Sequence, residues 1–184
     1  MFQRMCADLN VFETERLILR KWSERDIEPF AEMNGDKEVM AHFPRHLSYD
    51  ETVGFYDRII KEFDEFGFGL YAVERKSDGR FIGYVGFHRF AFDAPFSPGV
   101  EIGWRLGHEY WNNGYATEAA FGCLSYARKT GLISGSVYSF TAVCNRRSQR
   151  VMQKIGMEYA GTFPHPALPD GDPLKEHVLY RIVL

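Results

Sequence analysis

The sequence predicts one α/β domain whose strands form a single layer of sheet. Strand-like and helix-like segments alternate along the chain, and no internal repeat or linker-like stretch divides it. Its 184 residues suit one domain, and 45% hydrophobic residues can bury a sizeable core. We expect an N-terminal tail at residues 1–12 and the domain itself at 13–184.

Periodicity and turn signals place the elements of the first half. In order, they are a strand at 15–22, a helix from about 23 to 34, a helix from 48 to 67, and a hairpin of strands at 68–76 and 81–90. Ser23 and Ser48 are candidate N-caps, the second in a capping box with Glu51, and Gly35 and Gly67 are C-terminal stops.

The second half continues the alternation. After an irregular connection at 91–99 come a strand at 100–106, a helix at 114–130, a strand at 135–144, a short helix at 146–155, and two last strands at 157–163 and 176–183. A proline-rich loop at 164–173 separates the last two strands. The predicted order is therefore β-α-α-β-β-β-α-β-α-β-β.

Charge and cysteine usage narrow the class of protein. The net charge of −3, without a basic stripe paired with aromatic residues, argues against a nucleic-acid partner. Cys6, Cys123 and Cys144 are scattered, which fits a reducing compartment. No signal peptide or membrane span is expected, so we predict a cytoplasmic protein without a membrane partner. The spacing of His42 and His46 suggests metal ligands, but Pro44 and the lack of acidic companions favour no metal site.

The informative segment is a strand that leads into a glycine-containing turn and then a helix, over residues 100–119. Unpaired backbone N–H groups at such a helix start can bind phosphate. Gly114 would let the backbone approach an anion, Ala116 keeps the first turn small, and Thr117 offers a hydroxyl. A plain fold element remains the alternative. The segment matches neither a Walker loop nor a dinucleotide-binding fingerprint.

The stretch Trp111-Asn112-Asn113-Gly114-Tyr115-Ala116 resembles the pyrophosphate-binding motif of GNAT acetyltransferases, Gln/Arg-x-x-Gly-x-Gly/Ala. The similarity is closest to the branch that includes ribosomal-protein N-terminal acetyltransferases. Stretches matching that branch in order also lie at 14–20, 83–86, 100–103 and 145–157, so the resemblance runs from about residue 13 to the C-terminus. Trp111 stands where the motif usually has Gln or Arg.

The resemblance implies a mixed, mostly antiparallel sheet with helices on both faces and acetyl-coenzyme A as co-substrate. It also implies that the strands at 100–106 and 135–144 splay to hold the pantetheine arm. An N–H near Leu106 would hold the thioester carbonyl and its oxyanion, a catalytic role. The cofactor-binding residues implied are Trp104, Arg105, Leu106, Asn112, Asn113, Gly114, Tyr115, Ala116, Thr117, Asn145 and Ser148.

Two further catalytic roles follow from the resemblance. Glu101 would take the proton of the acceptor amine, although a structural ion pair with Arg105 is the alternative. Ser148 would protonate the leaving thiolate, because Met152 occupies the position where many relatives carry a tyrosine for that step. An ordinary exposed first-turn serine is the alternative. Asn145 is either a plain N-cap or also a pantetheine contact.

The basic run that includes Arg146, Arg147, Arg150 and Lys154 is either a solvated face or, in part, a site for the 3′-phosphate of the cofactor.

The implied acceptor is a primary amine, either a peptide N-terminus or a small molecule, attacked directly in a ternary complex. Acceptor-site residues are expected near Phe43 and in the 164–173 loop, with His165 and Asp170, and His177 is either packing or groove. Cys144 is expected to be a buried strand-end residue, with an acyl-cysteine as the alternative. Relatives are commonly homodimers. The alternative functions are an inactive acyl-CoA sensor on the same fold and a nucleotide-binding regulator.

Overall fold

The computed structural model describes residues 9–184 and places the described strands in one eight-stranded sheet. The strands are β1 (Asn10–Glu13), β2 (Leu17–Arg20), β3 (Leu70–Arg75), β4 (Arg80–Phe90), β5 (Gly99–Leu106), β6 (Ser136–Ala142), β7 (Glu158–Pro164) and β8 (Glu176–Val183). The helices are α1 (Ile27–Gly35), α2 (Tyr49–Phe66), α3 (Tyr115–Thr130) and α4 (Arg146–Lys154), with short 3₁₀ turns at Glu24–Asp26 and His108–Tyr110.

The sheet is antiparallel except at one place. Its strand order is β1-β2-β3-β4-β5-β6-β8-β7, and the single parallel pair is β5 with β6. That pair is short, since its register comprises Val100 opposite Val137 and Glu101 opposite Tyr138. Beyond Glu101 the two strands diverge and leave their facing edges open. The predicted mixed sheet and splayed strand pair are confirmed.

Helices cover both faces of the sheet, as predicted. Tyr84 on β4 packs against Phe30 of α1 and Phe55 of α2. Its neighbour Val85 points to the opposite face, where the thiol of Cys123 in α3 lies 3.9 Å from the Val85 carbonyl oxygen. Helix α3, which follows the turn that resembles a pyrophosphate-binding motif, thus packs on one face of the sheet. Helices α1 and α2 cover the other face.

The caps predicted for α2 form as the sequence indicates, whereas Gly35 is the last residue of α1 and Asp36 follows it as the C-cap. The Ser48 hydroxyl accepts from the Glu51 N–H at 3.3 Å, and the Glu51 carboxylate accepts from the Ser48 N–H at 2.8 Å. Gly67 ends this helix with φ of 73°, a conformation that favours glycine. The helix predicted from Ser23 differs, because it begins as a 3₁₀ turn over Glu24–Asp26.

The N-terminal boundary also differs from the prediction. Residues 1–8 of the expected tail, including Cys6, lie outside the described residues. Residues 10–13 are not a tail but strand β1, which pairs antiparallel with β2 and forms one edge of the sheet. In the part of the chain that is described, no helix combines the length and apolar character that a membrane crossing needs.

Candidate active site

A cavity of about 770 Å³ opens where β5 and β6 diverge. It is bounded by β4, β5 and β6, by the starts of α3 and α4, and by two loops. The lining includes most residues predicted for the cofactor, together with acceptor-side candidates: Phe43, Tyr84, His88, Glu101, Gly103, Trp104, Arg105, Leu106, Asn112, Gly114, Tyr115, Ala116, Thr117, Asn145, Ser148, His165 and His177.

The backbone of β5 directs hydrogen-bonding groups toward the opening, where the Leu106 carbonyl already accepts from Trp111 Nε1 at 2.9 Å. Gly107 donates its N–H to the Ile82 carbonyl on the β4 side, so alternation along the strand points the peptide groups of Leu106 and Trp104 away from β4. Beyond Glu101 no strand pairs with that edge in residues 9–184. Arg105 is oriented the other way, with its peptide group toward β4, so strand alternation does not support its predicted backbone contact.

The turn before α3 leaves backbone N–H groups without helical partners. Gly114 has φ of 80° and Asn112 has φ of 61°, both in the left-handed region. No side chain caps α3, and the first helical hydrogen bond runs from the Glu118 N–H to the Gly114 carbonyl. The N–H groups of residues 115–117 therefore remain available at a positive helix end.

The same turn is fixed from behind by Arg16. Its Nε donates to Glu118 at 2.7 Å, its Nη1 donates to the Asn113 carbonyl at 3.0 Å, and its guanidinium lies 4.6 Å from the Tyr115 ring centroid. Asn113 is not in the cavity lining, and its side chain donates to the Tyr110 and Trp111 carbonyls instead. The Asn113 side chain thus holds the turn, and the cavity lining does not support its predicted cofactor-binding role.

Glu101 faces the cavity on the α1/α2 side. Its Oε1 would lie 3.9 Å from a Cβ built on Gly103, and no ion pair joins it to Arg105 in the described structure. Burial, with a smaller contribution from Glu62, raises the pKa of Glu101 to about 7, while His88 opposes the shift. A carboxyl with this pKa can exchange protons near neutral pH, as a general base requires.

His88 is a neighbour that the sequence analysis missed. It lies opposite Glu101 in the β4–β5 register, lines the cavity, and places its Nδ1 3.2 Å from Glu62 Oε1. Burial opposes the charged imidazole, but the hydrogen bond with Glu62 and the two carboxylates raise the pKa of His88 overall. The position of His88 opposite Glu101 could have been predicted only from the register between β4 and β5. The irregular connection at 91–99 gives no sequence signal for that register.

The start of α4 places two polar residues, Asn145 and Ser148, in the cavity lining. Asn145 Oδ1 accepts from the Ser148 N–H at 3.2 Å, and Asn145 Nδ2 donates to Thr141 at 3.0 Å. The N-cap interpretation of Asn145 is confirmed, and within residues 9–184 its Nδ2 has no partner besides Thr141. The Ser148 hydroxyl has no partner in residues 9–184 and lines the cavity. Met152 is buried in the core.

Part of the basic run on α4 also faces the cavity. Arg147, Arg150 and Lys154 line it, and the Arg147 guanidinium lies 4.9 Å from the Trp111 ring centroid. Arg146 instead donates to Gln149 at 3.2 Å. Three cations near a free helix N-terminus give a protein of net charge −3 a local positive site for a polyanion.

His165 and His177 form an aromatic pair in the cavity lining. Their ring centroids lie 4.8 Å apart in a tilted arrangement, and burial lowers the pKa of both. Phe43 also lines the cavity, whereas Asp170 is exposed, pairs with Lys175 and does not. Phe43 and His165 thus line the cavity, as an acceptor-site role requires, and Asp170 does not.

Cys144 departs from its expected burial. Cys144 is exposed rather than buried, and its sulfur lies 3.6 Å from His42 Nδ1. His42 and His46 gather no further ligands, since residues 9–184 contain no cluster of three or more His, Cys, Asp or Glu side chains suited to a metal.

Comparisons with known proteins agree with this geometry. A family model described as an acetyltransferase (GNAT) domain matches residues 16–158. The chain is 28% identical over 174 residues to the uncharacterized N-acetyltransferase YnaD of Bacillus subtilis, covering 92% of this chain and 95% of YnaD.

Two solved structures illustrate the range of similarity. A GNAT-family acetyltransferase from Bacillus anthracis superposes with a TM-score of 0.77 at 28% identity, covering 93% of this chain and 96% of that one. RimL, a ribosomal L7/L12 alpha-N-protein acetyltransferase in complex with coenzyme A, gives a TM-score of 0.78 at 16% identity, with 95% and 98% covered. The second similarity concerns the fold alone.

Proposed function

Because the chain belongs to the GNAT acetyltransferase family, we propose that it transfers an acetyl group from acetyl-coenzyme A to a primary amine. The observation that carries the proposal is one continuous cavity. It joins a free helix N-terminus at residues 115–117, the unpaired edge of β5, and the carboxyl of Glu101.

The cofactor fits the residues present at one end of this cavity. The pyrophosphate would lie on the N–H groups of residues 115–117, with Arg147, Arg150 and Lys154 as nearby cations. The pantetheine arm would run along the peptide groups of Trp104 and the N–H of Leu106, because the Leu106 carbonyl already accepts from Trp111. When bound, acetyl-coenzyme A supplies the activated acyl group. RimL, which shares the fold, forms a complex with coenzyme A, which supports a coenzyme A site in this chain.

The chain's own groups then assist direct attack by the amine. The Leu106 N–H donates to the thioester oxygen, where negative charge develops. Glu101 accepts the amine proton, and its pKa of about 7 lets it do so near neutral pH. The Ser148 hydroxyl, which has no partner within residues 9–184, donates a proton to the departing thiolate and regains one from solvent. The α-amine of a peptide or a small-molecule amine is the proposed acceptor.

A thiol-release assay tests this function. Purified protein is incubated with acetyl-coenzyme A and a panel of primary amines and N-terminal peptides, beside Glu101→Gln and a matched Glu109→Gln control. Glu109 is exposed and outside the cavity lining. We expect the wild type to release thiol with at least one amine. Glu101→Gln should lower this rate, and Glu109→Gln should leave it unchanged. Coenzyme A binding without turnover on any amine would instead support the alternative function, an inactive acyl-CoA sensor on the same fold.

Initial-rate kinetics test the direct route. Intersecting patterns are expected when both substrates must be bound together. Parallel lines, or an acetylated Cys144 detected by mass spectrometry, would establish a covalent route instead.

A further inference from the structure

A buried arginine without an acidic partner lies in the cavity beside the proposed base. Arg105 is 7% exposed, and no carboxylate in residues 9–184 lies within ion-pair distance of it. Its described hydrogen-bond partner is Asn34, whose Oδ1 accepts from Nη1 at 2.6 Å, while Nε is buried without a partner. A buried unpaired charge is costly, and burial accordingly lowers the pKa of Arg105.

The guanidinium is nevertheless held in a defined orientation. Asn34 is itself anchored, because its Nδ2 donates to Thr52 Oγ1 at 3.2 Å. The Phe43 ring covers one face of the guanidinium, with its centroid 4.0 Å from Cζ, and Tyr84 and Phe55 lie farther away. Asn34 and Phe43 leave the edge formed by Nε and Nη2 without a described partner. That edge is the one with which arginine forms two parallel hydrogen bonds to an oxyanion.

The cofactor phosphates are not the natural partner for this edge. The Arg105 side chain points to the α1/α2 face of β5, whereas the phosphate-binding turn is supported by α3 on the other face. Three cavity cations of α4 already lie near that turn. The missing anion therefore belongs to the acceptor end.

Glu101, Gly103 and Arg105 share one face of β5 and form a linear arrangement. Nothing but Glu101 approaches within 4 Å of a Cβ built on Gly103, so the strand is open between the two charged residues. Four residues of strand place the Cα atoms of Glu101 and Arg105 about 13 Å apart. One acceptor could thus meet Glu101 with its amine and Arg105 with its other end.

We propose that Arg105 binds a carboxylate of the acceptor, so that the enzyme prefers amines that carry an acid group at their far end. The inference rests on the proposed N-acetyltransferase function and narrows its substrate class. It selects amino-acid-like or short peptide acids over polyamines, whose second cation Arg105 would repel. Arg105 is thereby a specificity residue in place of its predicted cofactor role.

The test compares alanine, dialanine and trialanine, each as a free acid and as its C-terminal amide, in the thiol-release assay. We expect the wild type to favour the acid over the amide about tenfold to a hundredfold in kcat/KM at the length that spans the two residues. Arg105→Met should abolish the preference and Arg105→Lys should reduce it. Arg128→Met, an exposed α3 control outside the cavity, should keep it.

A second measurement separates this proposal from the proposed function. With coenzyme A bound, the free acids should raise the melting temperature of the wild type more than their amides do, and this difference should vanish in Arg105→Met. Equal rates and equal shifts for acid and amide in the wild type would overturn the carboxylate role of Arg105. If no amine is acetylated but the shifts differ, the transferase function fails and the carboxylate site stands.

Discussion

Replacing Glu101 with glutamine should stabilise the protein at alkaline pH while lowering its activity. The pKa of Glu101 is about 7 in the folded protein, compared with an ordinary value of 4.5. The folded state therefore favours the protonated carboxyl. Below pH 4.5 this group causes no pH-dependent loss of stability, and the loss grows as the pH rises from 4.5 to about 7 and is then constant.

The magnitude follows from the two pKa values. Their difference corresponds to about 3 kcal/mol in the free energy of unfolding above pH 7. Because Glu101 is half-buried and faces an open cavity, we take this as an upper bound. The Glu101→Gln variant keeps the shape of the side chain but cannot ionise, so it avoids this loss.

The assay is urea denaturation of wild type, Glu101→Gln and the exposed control Glu109→Gln between pH 4 and pH 8.5. We expect the stability difference between Glu101→Gln and wild type to increase in favour of the variant from pH 4.5 to 7, with no such trend for Glu109→Gln. Over the same range, wild-type kcat/KM should rise with pH as Glu101 ionises. A stability difference independent of pH would refute the reasoning, because Glu101 would then have an ordinary pKa.

Three further predictions concern the Gly114 turn before α3, the N-cap of α4 and the acceptor amine. Gly114→Val should abolish coenzyme A binding in calorimetry, because the φ of 80° at Gly114 and the close approach of the anion both exclude a branched side chain. Unchanged affinity in a folded variant would refute the proposed pyrophosphate site. Asn145→Ala should lower stability by about 1 kcal/mol through loss of the cap and also weaken cofactor binding, which a cap alone would not do. Peptides with a free N-terminus should be preferred over lysine side chains, because near pH 7 an α-amine is several hundredfold richer in the neutral form; a strong lysine preference would point to another base.

Local signals explain why most of the architecture was predictable. The Ser48 capping box, the left-handed stop at Gly67 and the period of apolar residues act within a few residues, so the sequence contains them directly. Strand β1 escaped prediction because its four residues are too short for periodicity, and its place is set by pairing with β2.

The candidate site was predictable to the extent that it is contiguous in sequence. The turn at Gly114 and the strand with Glu101 are local, and both line the cavity. His88 depends on the register across an irregular connection, and the role of Asn113 depends on which side chain the turn directs inward. The unpaired state of Arg105 depends on what α1 and α2 place around it. These are tertiary properties, so no motif contains them.

The contact of Arg16 with the α3 turn has a consequence for how the chain responds to its ligand. Residues about a hundred positions apart are joined there, since Arg16 binds Glu118 and the Asn113 carbonyl, and Thr14 binds Glu118 at 2.6 Å. A ligand that orders the turn must therefore also protect the β1–β2 edge from local opening, and by linkage a loosened edge must weaken the ligand. Amide hydrogen exchange in residues 10–20 thus reports on occupancy of a site that those residues do not line.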